Sequence, residues 1–132
     1  MTTESELKQR CTPEIIKSMC ELAEGFAMMP NGIDRVGFKN TNDTFPRQHW
    51  INIDHLTSDP LALSTLIHRA IDGWNDTYNN IAFYPDHLVK NWNDGHMNRC
   101  NYPYRDYKPQ SLTQAECAML DCLIEIIEEE MR

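Results

Sequence analysis

Apolar residues recur at helical spacing in three stretches of this chain and alternate in three shorter ones. The first helical stretch opens at Thr12-Pro13-Glu14, where Thr12 can cap and Pro13 presets the first-turn dihedral without costing a needed donor. Ile15, Met19, Leu22 and Phe26 follow at helical intervals, and Gly25 is placed to end the run. Asp59-Pro60 repeats the opening, and Leu63, Leu66, Ile67, Ala70, Ile71 and Trp74 give a face wide enough to lie on a sheet. Thr113 and Glu116 have the spacing of a capping box, ahead of Leu120, Leu123, Ile124 and Ile127. The pattern predicts helices over 12–25, 59–75 and 113–131. Arg35–Lys39, His49–Ile53 and Asn80–Tyr84 alternate partly, and the turn-prone Asn40–Asp43 suggests that the first two form a hairpin. Residues 1–10 are read as a frayed tail or one more turn of helix. The order predicts one α+β domain over 1–132, with a small, mainly antiparallel sheet of about three strands packed with three helices.

The segment from Tyr84 to Pro109 fits neither period, yet holds five of the twelve aromatic residues. Long structureless connections in compact domains are functional or disordered, and disordered segments are poor in aromatics. The prediction is an ordered, aromatic-rich loop over 84–109 that binds something. Trp92, Arg99, Tyr102, Tyr104, Arg105 and Tyr107 are its candidate contact residues, since aromatic and arginine side chains dominate interface hot spots. Tyr102-Pro103-Tyr104 is the expected exposed tip, its proline holding two rings apart. The opposing reading is that these rings tie the loop to its own domain.

Composition narrows the field. A hydrophobic fraction of 41% and 24% charged residues are ordinary for a globular chain. No apolar run reaches the roughly 20 residues needed to cross a bilayer, and the opening residues carry no apolar signal segment. Cytoplasmic residence and reduced thiols for the five cysteines are the expectations. A net charge of −8 disfavours nucleic acid as a partner. From Glu116 to Arg132 there are six acids and one base, whereas the 84–109 segment is close to neutral.

Candidate chemistry is sparse. His87, His96 and Cys100 are the available metal ligands in one segment, but their spacing is not that of paired zinc ligands, and no metal is expected. Cys100 beside Arg99 has the one hint of a cationic thiol environment, while Cys117 and Cys122 sit among apolar neighbours. His49, Trp50, His55 and His68 read as strand-edge or helix-boundary residues. No catalytic motif is present, so no cofactor and no catalytic residue is assigned.

The stretches CELAEGF, HWINIDHLTSDPLALSTLIHRAIDGWN and LTQAECAMLDCLIEIIEE resemble small phage and prophage proteins of the "ABA sandwich" type. The resemblance implies a phage or mobile-element accessory protein working in the host cytoplasm, and it carries over no functional residue. The leading expectation is therefore a non-enzymatic protein that captures a host protein through 84–109. A small-molecule binder is the first alternative, with a nucleotide base on Trp92 or a tyrosine and its phosphate on Arg99 or Arg105. A metal-dependent hydrolase built on His87, His96 and Cys100 is the second. Homo-oligomerisation through the amphipathic last helix stays open.

Overall fold

The long last helix organises the molecule. In the computed structural model, which describes residues 1–28, 34–39 and 48–132, α4 (Gln114–Glu130) buries Cys117–Leu120, Cys122–Ile124, Ile126 and Ile127. Four layers of contact meet it: α1 (Glu4–Arg10), α2 (Pro13–Leu22), α3 (Pro60–Trp74) and a three-stranded sheet. The expected capping box forms, with Thr113 accepting from the Glu116 amide at 3.0 Å and Glu116 accepting from the Thr113 amide at 2.9 Å. Thr12 and Asp59 cap α2 and α3 as their sequences dictate. The three predicted helices thus lie within a few residues of their expected bounds.

The first ten residues are not frayed. Thr2–Thr3 form a short strand, β1, and Thr3 caps α1, whose Leu7 is fully buried. Burial of that one-turn-and-more amphipathic face is what orders a segment too short to hold helix alone.

The predicted antiparallel β layer is present as two separate sheets. In the first, β2 (Phe26–Met28), β3 (Arg35–Lys39) and β4 (Gln48–Asn52) are antiparallel neighbours in that order. The expected hairpin pairing of 35–39 with the next strand holds, while the turn expected at 40–43 lies outside the described residues. In the second, β5 (Asn79–Phe83), β6 (His87–Asn93) and β7 (Met97–Pro103) form an antiparallel meander. A last short strand, β8 (Tyr107–Lys108), runs parallel to β1.

The 84–109 segment is therefore not a loop. It is chiefly the β6–β7 hairpin, turned at Asn93–His96 with Gly95 at φ +106. Its strands lack a clean apolar alternation because one buried-side position on each is polar. On β6, Leu88, Lys90 and Trp92 share the face toward α4, and on β7 Asn98, Cys100 and Tyr102 do. His87, Val89, Asn91, Arg99 and Asn101 take the opposite face.

Two close approaches fix the helices. Gly73 in α3 lies against the C-terminal end of α2, where an added Cβ would meet the Leu22 carbonyl oxygen at 1.7 Å. Glu4, fully buried, accepts from the backbone amides of Gln110 (2.8 Å) and Leu112 (2.7 Å), from Ser111 Oγ (2.7 Å) and from Lys8 Nζ (2.9 Å). Burial pushes the Glu4 carboxyl up, but the Lys8 ammonium and the other donors outweigh it and hold it well below the usual carboxylate range. No helix among the described residues is long and apolar enough to cross a membrane.

Candidate functional site

The six residues expected to form one contact surface are divided by the sheet into four groups. Tyr102 and Tyr107 are anchors. Both are buried, and their hydroxyls donate to α4 carboxylates, Tyr102 to Glu125 at 2.5 Å and Tyr107 to Asp121 at 2.6 Å. Burial, then the neighbouring negative charges, push both phenols well above their ordinary range, so they act as fixed donors. The expected exposed tip at Tyr102-Pro103-Tyr104 is thereby corrected. The alternation of β7 turns Tyr102 inward, where it packs in the core. Asp121 also receives Arg10 Nη1 at 3.1 Å, so one carboxylate joins α1, α4 and the segment after the hairpin.

Tyr104 and Arg105 line a shallow cavity of about 470 Å³ with His87, Asp86 and Gln114. His87 stacks on Tyr84, ring centroids 4.7 Å apart, and its Nδ1 lies 2.7 Å from an Asp86 carboxylate oxygen. Hydrogen bonding to His87 holds the Asp86 carboxyl below its usual range.

Trp92 belongs to a larger cleft of about 770 Å³ between the hairpin and the C-terminal half of α4. Trp74 and Trp92 supply aromatic surface, and Lys90 Nζ sits 4.3 Å from the Trp92 ring centroid. Glu125, Glu128, Glu129 and Glu130 line the helical side, with Arg10 paired to Glu128 at 3.2 Å. Arg99 is elsewhere, exposed on the face of β7 turned away from this cleft. The constellation expected for a nucleotide, a ring of Trp92 or a tyrosine with Arg99 or Arg105, is not assembled at Trp92, but Tyr104 and Arg105 share the smaller cavity. The arginines lie on another face and in another cavity, and carboxylates surround the indole.

The hydrolase constellation is also not assembled. Cys100 pairs with Lys90, three residues and about 10 Å along the strand from His87, and it faces the other side of the sheet. His96 lies in the turn at the far end of β6. Among the described residues no group of three or more His, Cys, Asp or Glu side chains could hold a metal ion. The five cysteines are unpaired. Burial pushes the thiols of Cys11, Cys20 and Cys122 up to about 12 and that of Cys117 to about 11, which leaves them protonated at neutral pH. His68 is an exposed partner of Glu116 at 3.2 Å, tying α3 to the start of α4. Ser64 donates to the same carboxylate. His55 lies in the 3-10 turn Ile53–Ser58, and His49 of β4 lies tilted against Phe38 of β3, ring centroids 5.4 Å apart.

Sequence reasoning missed the edges of the β5–β6–β7 sheet. Backbone bonds from Tyr84 to His87 and from Tyr104 to Asp86 set the phase of the ladder. Asn79, Ile81 and Phe83 of β5 consequently point their peptide groups outward, as do Met97, Arg99 and Asn101 of β7. The first two of these β5 residues, Asn79 and Ile81, are met by the preceding turn. Asn75 accepts the Ile81 amide at 3.0 Å, Asp76 accepts the Asn79 amide at 2.8 Å, and the Asp76 amide donates to Asn79 O at 2.8 Å. No described strand lies along the outer edge of β7, and Met97, Arg99 and Asn101 are all exposed, Met97 by 81%. The Asp94-Gly95 pair was the available signal for this hairpin. No protein-family model, curated protein or solved structure matches this chain.

Proposed function

We propose that the protein is a non-enzymatic binding module that captures a partner polypeptide along the outer edge of β7. The observation that carries this is the difference between the two edges of one sheet: Asn75 and Asp76 cap β5, whereas β7 keeps a run of outward peptide groups flanked by exposed side chains. Unpaired edges are sites of strand addition, and proteins blunt the edges they do not use. Main-chain bonds would supply affinity, and Met97, Arg99 and Asn101 the selection among partners. The partner is a protein segment with an acidic residue opposite Arg99. An accessory role in a phage or mobile element, as the resemblance in sequence implies, is consistent with capture of a host protein.

Arg99→Pro tests this directly. The Arg99 amide points away from β6, so proline there removes no bond of the hairpin, and edge strands tolerate it. The variant should retain its unfolding midpoint and lose the polypeptide that the wild-type protein retains from a host lysate. Retention of the same polypeptide by a folded Arg99→Pro variant would overturn the proposal.

A further inference from the structure

We infer that the cleft between the hairpin and α4 is a second binding site, one that takes an organic cation: a primary ammonium or guanidinium group on a flexible chain. Three observations converge on it. The cleft is concave and has indole surface from two elements, Trp74 at the end of α3 and Trp92 on β6. Its lining carries five carboxylates, Asp94 and four glutamates, against the three cations Arg10, Lys90 and Arg132. One of those cations already shows how the site is used. Lys90 Nζ rests 4.3 Å from the Trp92 ring centroid, and among the described residues no carboxylate lies within salt-bridge distance of it. In a cleft with an excess of acids, its recorded attraction is to the indole face.

An ammonium over indole is held by the ring quadrupole, more strongly where water is partly excluded. Lys90 is therefore a built-in occupant of a cation site. Its four-carbon stem can swing toward solvent and yield the Trp92 face to an incoming cation. Glu125 and Glu130, which no cation of the described residues pairs with, then meet the second charge of a ligand carrying more than one. Arg10 and Arg132 do not compete for the ring, because Arg10 is held by Asp121 and Glu128 and Arg132 by Glu129. The site faces α4 and stands apart from the β7 edge, so each can fail without the other.

Tryptophan fluorescence reads the site, with the titration run in a Trp50→Phe background to remove the exposed indole on β4. Spermidine and pentalysine are titrated separately at constant ionic strength. Saturable change with both points to any alkylammonium as ligand, and saturation with pentalysine alone assigns the site to a basic peptide. Trp92→Leu should weaken binding about tenfold. Lys90→Met, which keeps an apolar stem and removes the competing ammonium, should tighten it several-fold, and Arg99→Pro should leave it unchanged. A signal that only tracks salt concentration overturns the inference, as does a folded Lys90→Met variant whose affinity is equal or weaker.

Discussion

Replacing the buried Glu4 by glutamine changes one oxygen to an amide and removes one charge. In the native protein Oε1 accepts two backbone amides, and Oε2 accepts Ser111 Oγ and Lys8 Nζ. Whichever way the glutamine amide turns, its NH2 faces donors that had an acceptor. A hydrogen bond to a charged group contributes roughly 1.5–3 kcal/mol, and two such bonds are compromised. The Ser111 hydroxyl can rotate to accept, and the Lys8 side chain, 25% exposed, recovers part of its hydration. The expected loss is about 3 kcal/mol, which for a chain of this size is on the order of 10 °C in Tm. Urea unfolding followed by far-UV circular dichroism at neutral pH measures it. The pH dependence supplies a second reading. The native carboxyl is held below its unfolded value of 4.5, so its stabilisation is complete above that pH and fades as pH falls beneath it. The gap between wild type and Glu4→Gln should therefore narrow below pH 4.5. A loss under about 1 kcal/mol at neutral pH with an unchanged m-value, or a gap that widens in acid, would refute the reasoning.

Three further outcomes follow from the packing. Gly73→Ala should destabilise by about 1–3 kcal/mol or more despite alanine's better helix propensity, because its methyl group meets the Leu22 carbonyl; chemical denaturation measures the difference. Tyr102→Phe should cost about 1 kcal/mol by removing the hydroxyl's bond to the exposed Glu125, whose carboxylate returns to water, and thermal unfolding would register it. Asn75→Ala releases the Ile81 amide at the β5 edge and should both lower stability by about 1 kcal/mol and promote concentration-dependent self-association in sedimentation.

The helices were legible because their signals are local. Thr12-Pro13, Asp59-Pro60 and Thr113 with Glu116 place side-chain caps within three residues of the amides they satisfy. The hairpin was obscured because α4 tolerates Lys90, Asn98 and Cys100 on the inward side, so neither strand reads apolar on one face and polar on the other. Cleft and anchor roles were obscured for a related reason. Tyr102 and Trp92 are both aromatics on the inward face, and only the neighbouring helix decides which has room beside it and which meets a carboxylate. Nothing near Glu4 in sequence shows that its acceptors serve a segment more than one hundred residues away.

That last separation bears on the order in which the chain acquires structure. During synthesis helix α1 and strand β1 emerge well before the groups that hold them, Gln110 to Leu112, β8, Asp121 and Glu128, which lie about one hundred residues or more further along the chain. A seven-residue helix has no independent stability, so α1 stays unfolded until α4 has left the ribosome. Closing contacts of such high sequence separation is slow, and the exposed Leu7 face meanwhile is available to chaperones. The Glu4 cluster thus works as a completion latch, engaged only when nearly the whole described chain is free to fold.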